Sequence, residues 1–219
     1  MKTIQEAVEE IINQTPFIEE AIHDKLINVS SLAREIQPKV EKKLNKNVKT
    51  GAVMMALNRI SPIHVLRIRK NIKSISLDLK DFIVRTDLLD YTFKNTNTLK
   101  GRIAKLFGKI ESNSDSFFTV SQGIFETNIV VSSNLQKEVE KYLETEDIIH
   151  SMRNLASITI KLPKSNIEQS GVYYFILKQF AWANIPVQEI ISTTHEITLV
   201  VKETDINKSF SILINLKIS

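Results

Sequence analysis

The stretch that decides the fold runs from Leu155 to Leu216 and reads LASITIKLPKSNIEQSGVYYFILKQFAWANIPVQEIISTTHEITLVVKETDINKSFSILINL. Apolar residues alternate over Ile158–Leu162, which predicts a half-buried strand. They then recur at helical spacing over Val172–Ala181, which predicts an amphipathic helix. The period of the pattern therefore changes within a short distance, and a strand leads directly into a helix.

Two more strands and a second helix follow in the same stretch. The β-branched segments Val187–Ile191 and Ile197–Val201 predict strands, with the polar turn 193–195 between them. Asp205 suits the N-cap position of a helix that carries Ile206 and further apolar residues. The order strand, helix, strand, strand, helix is most of a ferredoxin-like unit, so the sequence predicts an α+β fold.

A unit of this kind occurs twice, because the sequence matches itself when it is shifted by 70 positions. The matched pairs include two glycines and two glutamates, Gly101 with Gly171 and Glu126 with Glu196. After one inserted residue, Leu135 falls on Ile206. Matches of Gly and Glu at one offset favour duplication over shared secondary structure alone. We therefore predict two βαββαβ units, residues 71–150 and 151–219.

Four short segments of the second unit form a set: Gly171-Val172, Ile185-Pro186-Val187, Ile190–Thr194 and Ile197–Val201. This set resembles the tandem ACT regulatory region of aspartate kinases. It departs from the usual pattern at Asn184, where Gly is common, and at Pro186, where Asn is usual. The resemblance implies regulation without catalysis, since the chain has no space for the large catalytic domain of a kinase.

The resemblance places an amino-acid effector at the loop between the first strand and helix of a unit. Here that loop leads into Gly171, where free N–H groups favour a carboxylate and a missing Cβ allows close approach. The residues that enter the next strand are expected to form the opposite wall. The predicted ligand-binding residues are Ser165, Asn166, Gln169, Ser170, Gly171, Val172, Asn184, Val187 and Gln188. The first unit offers Thr96-Asn97-Thr98, flanked by Lys100 and Arg102, and we expect this loop to be degenerate or different in specificity.

Residues 1–70 are predicted to form a separate helical domain with tight turns. The predicted elements are an acidic amphipathic helix at 2–13, a second helix from Thr15-Pro16, a third that Pro38 interrupts, and a last helix at 51–60 capped by Thr50. Beyond this domain, the alternation of Ile75, Leu77 and Leu79 predicts a strand.

Positive charge is concentrated in residues 25–70, which hold eleven Lys and Arg against two Glu, although the net charge of the chain is only +4. Such asymmetry is typical of a surface that binds a polyanion. Short helices with a basic flank predict a helix-turn-helix that resembles small winged-helix domains of regulators. The predicted DNA-binding residues are Lys39, Lys42, Lys43, Lys46, Lys49, Thr50, Asn58 and Arg59. The alternative is a helical dimerisation or docking domain.

The sequence offers little that is typical of an enzyme. Its four histidines lie in separate elements, so neither a metal site nor a cofactor is predicted. Nucleophile and phosphate-loop motifs are absent, so no catalytic residue is predicted. The chain has no cysteine and no apolar run long enough to span a membrane, and a cytoplasmic location without membrane contact is expected.

Two functions follow from these observations. The leading interpretation is an amino-acid-responsive, DNA-binding transcriptional regulator that forms a homodimer or a larger assembly. The alternative is a stand-alone regulatory subunit of an amino-acid biosynthetic enzyme, such as an aspartate-kinase-like protein.

Overall fold

The computed structural model describes residues 2–15, 18–60, 80–110 and 115–218, together with residues 66 and 70. Contacts divide the chain into two compact units, Met1–Asn71 and Ile72–Ser219. The predicted strand around Ile75–Leu79 and the predicted helix start at Pro16 lie outside the described residues.

The first unit is helical. Within residues 2–60, its described helices are α1 (Ile4–Asn13), α2 (Ile18–His23), α3 (Val29–Leu44) and α4 (Thr50–Asn58). Helix α1 begins with a capping box, in which Thr3 Oγ1 accepts a hydrogen bond from the N–H of Glu6 and the Glu6 carboxylate accepts one from Thr3. Buried residues of α1, α3 and α4 share one apolar core, which holds the three longer helices together.

Helix α3 continues through Pro38, so the predicted interruption at this residue is wrong. Proline has no N–H to donate to the carbonyl four residues earlier, and the helix loses one hydrogen bond there. The buried residues Ala33, Ile36 and Val40 lie on both sides of Pro38 and pack into the shared core. Tertiary packing therefore keeps the helix continuous where its local propensity is poor.

The start of α4 also differs from the prediction. Lys49 occupies the N-cap position, with no side-chain hydrogen bond, and Thr50 is the first helical residue. The Thr50 hydroxyl donates instead to Gln37 Oε1 at 2.6 Å. Gln37 also donates to the carbonyl of Val48 at 2.9 Å, so it braces the turn that connects α3 to α4.

The second unit contains one six-stranded antiparallel sheet and four helices among its described residues. In chain order the elements are β1 (Lys80–Lys94), α5 (Leu99–Phe107), β2 (Phe118–Gln122), β3 (Glu126–Ser132), α6 (Gln136–Leu143), β4 (Ile148–Lys161), α7 (Val172–Trp182), β5 (Glu189–Ser192), β6 (Glu196–Lys202) and α8 (Ile206–Ile218). The strand order is β2-β3-β1-β4-β6-β5. The α+β fold predicted from the sequence is confirmed.

Two long strands connect the halves of this sheet. Residues 88–94 of β1 pair with β3, whereas residues 80–85 of β1 pair with β4 alone. In the same way, residues 155–161 of β4 pair with β6, and its first residues pair only with β1. Two complete βαββαβ units would need eight strands, and the described residues form six because β1 and β4 each serve both halves.

Each long strand bends where it passes from one half to the other. Asp87 in β1 and Asn154 in β4 have φ angles of 55° and 56°, and the register of the strand pair shifts between Arg85 and Leu88. Asp and Asn tolerate this left-handed conformation better than other residues with a Cβ. The side chain of Glu203 accepts a hydrogen bond from the N–H of Asp87 at 2.9 Å, which supports the bend.

From β3 and β6 onward, the two halves repeat at an offset of 70 residues, whereas α5 and α7 begin at Leu99 and Val172 and do not keep this offset. Short 3-10 turns begin at Ser133 and Glu203, and the helices that follow begin at Gln136 and Ile206. The inserted residue predicted from the sequence is therefore not needed. The insertion was suggested by matching Leu135 to Ile206. In the structure, however, Leu135 is the last residue of a 3-10 turn, whereas Ile206 is the first residue of a helix.

Both faces of the sheet are covered. On one face, α5 and α6 pack over the first half and α7 and α8 over the second, each with its own apolar core. On the other face a small cluster of Leu88, Val130, Leu155 and Val200 is fully buried. The sheet curls over this cluster, because residues near both edge strands, such as Ile191 of β5, pack against it.

Candidate functional site

The predicted effector loop lies between β4 and α7. It begins with a 3-10 turn, Lys164–Ile167, and ends at Gly171, which occupies the N-cap position of α7 with a φ of 100° and no side-chain cap. A glycine is suited to this position because a side chain would be strained at such a φ. The loop therefore leaves the first N–H groups of α7 without partners inside the helix, as the sequence predicts.

The nine predicted ligand-binding residues fall into two groups. Ser165, Asn166, Gln169, Ser170, Gly171 and Val172 precede or begin α7, whereas Asn184, Val187 and Gln188 follow it. An 11-residue helix is about 16 Å long, so the two groups lie at opposite ends of α7. The structure therefore does not bring them together into one cavity within a protomer.

Several predicted residues have structural roles. Val172 is buried in the core of the second half, and Val187 packs against the same core. Asn184 has a φ of 55° and ends α7, a role for which Asn is second only to Gly. The N–H of Gln188 donates to the carbonyl of Val200 at 2.8 Å, so its backbone belongs to the sheet.

The turn between β5 and β6, not Asn184–Gln188, lies beside the start of α7. The hydroxyls of Tyr173 and Ser192 are 2.6 Å apart, and the N–H of Leu162 donates to the carbonyl of His195 at 2.7 Å. This follows from the topology, because β5 runs parallel to β4 and its end meets the end of β4. The sequence identified the polar turn but gave no sign that Tyr173 and Ser192 meet.

Two buried polar atoms belong to the segments at this end of the second half. Gln169 Oε1 and His195 Nδ1 are both inaccessible to solvent, and neither has a hydrogen-bond partner among the described residues. Buried polar atoms are usually paired, so such atoms are candidates for contact with water or a ligand. The loop 164–171 and the turn 192–195, together with Tyr173, are here called the α7 site.

The predicted DNA-binding residues lie on α3, on α4 and in the turn between them. Lys39, Lys42 and Lys43 lie on α3, and Lys46 lies in the turn that follows the C-cap residue Asn45. Thr50 and Asn58 stand at opposite ends of α4, about 12 Å apart. Thr50 is already bonded to Gln37, and Asn58 lines a cavity of about 390 Å³ with Glu19 and His23.

One of these lysines is engaged in an ion pair. Lys43 Nζ lies 2.7 Å from Glu10 Oε2, and Lys2 Nζ lies 2.8 Å from the same atom. Hydrogen bonds from Lys2 and then Lys43 lower the pKa of Glu10 to about 2. The charge of Lys43 is therefore partly neutralised, whereas the other four predicted lysines, Lys39, Lys42, Lys46 and Lys49, are exposed.

A buried carboxyl group lies on the inner face of the curled sheet. Asp90 is 5% exposed and accepts a hydrogen bond from Asn128 Nδ2 at 2.6 Å. Burial raises the pKa of Asp90, although Asn128 and His150 act in the opposite direction. Burial also raises the pKa of Glu189, and the charge of Asp90 adds to this shift. The sequence gave no indication that these residues share a face.

No set of three or more His, Asp or Glu side chains within the described ranges is arranged to hold a metal ion. In the same ranges, none of the helices has the length and apolar character needed to cross a membrane.

No protein-family model matches this chain, and no curated protein sequence matches it. Its structure is similar to that of aspartate kinase from Clostridium acetobutylicum, with a TM-score of 0.53 and 14% identity over 63% of this chain. It is also similar to the ligand-free regulatory subunit of aspartate kinase from Thermus thermophilus, with a TM-score of 0.51 and 8% identity over 63% of this chain.

The two matches differ in how much of the other protein they cover. They span 34% of the Clostridium chain but 98% of the Thermus regulatory subunit. The chain therefore has the α+β fold of an aspartate kinase regulatory subunit. This supports the resemblance seen in the sequence at the level of the fold. The helix-turn-helix of the first unit stays a prediction.

Proposed function

We propose that this chain is a non-catalytic regulatory protein whose α+β unit consists of two ACT-type halves and binds an amino acid. The observation that carries the proposal is the fold shared with the whole length of the Thermus regulatory subunit. On this proposal, the chain acts as a stand-alone regulatory subunit of an amino-acid biosynthetic enzyme. The earlier alternative thereby becomes the leading interpretation.

The α7 site is the proposed position of the effector. The first N–H groups of α7 and the dipole of the helix favour a carboxylate, and Gly171 allows it to approach the backbone. The hydroxyls of Tyr173 and Ser192 and the buried Gln169 Oε1 are polar groups suited to an α-ammonium or a side chain. Asn184, Val187 and Gln188 are retained as a second, separate predicted group.

We expect one of the twenty amino acids to raise the melting temperature of the protein in a thermal-shift screen. At a hundred times its dissociation constant, a ligand stabilises the folded state by about 2.7 kcal/mol, or roughly 5–10 °C for a unit of this size. Gly171→Val should abolish this shift, and Tyr173→Phe should weaken it. Circular dichroism must show that Gly171→Val folds, since φ is 100° there.

The single tryptophan distinguishes the two predicted groups. Trp182 is 81% exposed and lies at the end of α7, beside Asn184 and far from Gly171. Binding at the α7 site should leave the fluorescence of Trp182 nearly unchanged, whereas binding at 184–188 should change it. Asn184→Gly keeps the left-handed conformation and is the matched control. Full affinity in both Gly171→Val and Tyr173→Phe would show that the effector binds elsewhere.

We further propose that the protein is a homodimer that forms through the edge strand β2. A groove of about 520 Å³ lies between α5 and β2, and its lining includes Ile103, Phe107, Phe118 and Val120. Phe107 is 65% exposed, and Ile124 and Phe125 at the tip of the β2–β3 hairpin are almost fully exposed. An exposed strand edge beside apolar side chains is a surface that a second chain can cover.

Light scattering should therefore show a dimer at tens of micromolar protein. Val120→Lys should convert it to a monomer, because a charge would be buried in the groove without a partner. Ile190→Lys is the matched control, since Ile190 is an exposed residue of the other edge strand, β5. A monomeric parent protein, or dissociation by Ile190→Lys instead of Val120→Lys, would contradict the proposed interface.

A second candidate function is DNA binding by the helical unit. The observation that favours it is an exposed basic face formed by Lys39 and Lys42 on α3 and by Lys46 in the turn that follows this helix. Gln37 braces the turn to α4, so the connection between α3 and α4 is held by side-chain hydrogen bonds. On this hypothesis the protein is an effector-responsive transcriptional regulator.

If the basic face binds phosphates, the affinity for mixed genomic DNA should fall steeply with salt, with a log–log slope of roughly −0.9 per contact. The double variant Lys42→Glu, Lys46→Glu should lose binding, while Asn58→Ala should mainly reduce sequence preference. Lys137→Glu, an exposed position on α6, is the matched control. Equal binding by the double variant and the control would exclude this face as the DNA contact.

A further inference from the structure

In the first half, the loop before α5 corresponds in position to the loop of the α7 site, and a buried carboxylate is bonded to it. Glu146 precedes β4, and its side chain is only 2% exposed. Thr96 Oγ1 donates to Glu146 Oε2 at 2.5 Å, and Thr98 Oγ1 donates to Oε1 at 2.7 Å. Arg102 Nε lies 2.9 Å from Oε1. Both oxygens of a charged group are thus held by partners nearly fifty residues away in sequence.

The group that holds this carboxylate is built at the start of α5. The N–H of Leu99 donates to Thr96 Oγ1 at 3.1 Å, and the same hydroxyl donates to Glu146. Thr96 therefore connects the N-terminus of the helix to the Glu146 carboxylate through two hydrogen bonds. Thr98 directly precedes the helix, and Arg102 lies in its first turn. Two hydroxyls and a guanidinium at a helix N-terminus are donors that suit any carboxylate of similar size. Thr96, Thr98 and Arg102 are here called the α5 cradle.

The second half does not repeat this arrangement. Counted from the N-cap residues of α5 and α7, Thr96, Thr98 and Arg102 correspond to Gln169, Gly171 and Phe175. Counted from the starts of α6 and α8, Glu146 corresponds to Leu216. Leu216 is a buried apolar residue of α8, a helix that is longer than α6. The internal carboxylate and its donors are therefore specific to the first half.

We propose that the α5 cradle is a carboxylate-binding site that the chain fills with its own Glu146 side chain. Glu146 takes the place that a free carboxylate would occupy, and it ties the start of α5 to the start of β4. Because the cradle is filled, it is not available to an effector. The consequence, which rests on the function proposed above, is that each chain binds one effector through its second half.

The pKa of Glu146 is consistent with a well-bound anion. The hydrogen bond from Thr96 lowers this pKa most, and Thr98 and Arg102 lower it further, against the effect of burial. The folded state thus favours the ionised form of the group, as a site for a carboxylate requires.

Chemical rescue tests the proposal without any effector. Glu146→Ala removes one methylene and the carboxylate, which are the heavy atoms of acetate. We expect this variant to melt roughly 5–10 °C below the parent, because Arg102 and two hydroxyls lose a buried partner. Sodium acetate should restore at least half of this loss in a saturable manner, relative to sodium chloride at equal ionic strength. The parent protein should show no such specific response.

Three further variants decide whether the rescue comes from the cradle. Glu146→Gln fills the space with a neutral amide, so acetate should not raise its melting temperature. Adding Thr98→Val and Arg102→Met to Glu146→Ala should abolish the rescue. Glu138→Ala is the control on α6. The Oε2 atom of Glu138 is buried and has no hydrogen-bond partner in the part of the chain that the structure describes, so acetate should not rescue this variant.

Two outcomes would overturn the proposal. One is an acetate effect of equal size in the parent, Glu146→Ala and Glu138→Ala. The other is a rescue that persists after Thr98 and Arg102 are replaced. If Glu146→Ala does not fold even in acetate, the cradle does not accept a free carboxylate and the proposal fails. None of these results depends on whether an amino acid binds at the α7 site.

Discussion

Replacing Phe180 with alanine should lower the free energy of unfolding of the α+β unit by about 3–5 kcal/mol. Phe180 is fully buried, and it packs in the core between the sheet and the helices α7 and α8. Truncation removes the apolar contacts of the ring and leaves a cavity that the packed core cannot fill completely. Urea denaturation measures this loss as a lower transition midpoint with an unchanged slope.

The same substitution should also loosen the first half of the sheet. The strands β1 and β4 run through both halves, so neither half can open without disturbing strands of the other. Hydrogen exchange at Ile129 and Val131 of β3 should therefore accelerate together with exchange at Leu199 of β6. Protection retained in β3 while β6 exchanges freely would show that the halves unfold independently.

An exposed phenylalanine provides the control for this experiment. Phe107→Ala removes the same number of atoms from a residue that is 65% exposed, and we expect it to cost less than about 1 kcal/mol. A cost for Phe107→Ala similar to that of Phe180→Ala would mean that the groove beside β2 is buried in solution. That outcome would support the proposed dimer and would require the control to be repeated with Val120→Lys as the parent.

Local periodicity explains why much of the α+β unit could be predicted. The alternation around Ile158, the β-branched segment Ile197–Val201 and the helical spacing from Val172 all reflect residues that are buried in the structure. The outer part of β4, residues 148–153, gave no such signal. It pairs only with β1 and is largely exposed, so no buried face imposes alternation on its side chains.

Contacts between distant residues could not be predicted in the same way. The sequence drew attention to Thr96-Asn97-Thr98 and to the nearby charges, but not to Glu146, which meets them through the fold. It also placed Asn184 opposite the effector loop. The loop 164–171 precedes α7 and Asn184 follows it, so the two lie at opposite ends of this helix. The local sequence pattern did not show this separation.

Asp90 has a buried carboxyl group on the inner face of the sheet. Asp90→Asn should raise the melting temperature at pH 7 by about 2–6 °C, since it removes a charge from an apolar setting. Asn128 donates to Asp90 at 2.6 Å, and the amide oxygen of asparagine can accept the same hydrogen bond. The substitution should also lower the pKa of the neighbouring Glu189, because the charge of Asp90 raises that pKa in the parent.

The sign of the pH dependence follows from the direction of the shift. Burial raises the pKa of Asp90 in the folded state above its ordinary value of 3.8, so ionisation above that pH weakens the fold. As the pH falls through the raised pKa of Asp90, this carboxyl becomes protonated in the folded state, and the destabilisation caused by its buried charge is removed. Glu146 has a lowered pKa and acts in the opposite direction, since its contribution is lost as the pH falls through that lower value.

The difference between the melting temperatures of Asp90→Asn and the parent isolates the pH effect of Asp90, because Glu146 is present in both proteins. We expect this difference to be largest at pH 7 and to shrink as the pH falls through the raised pKa of Asp90 in the parent. Asp147→Asn, an exposed position, should change the melting temperature by less than about 1 °C at every pH. A lower melting temperature for Asp90→Asn across the whole range would show that the ionised carboxylate stabilises the curled sheet, with a contribution from His150, which lowers the pKa of Asp90.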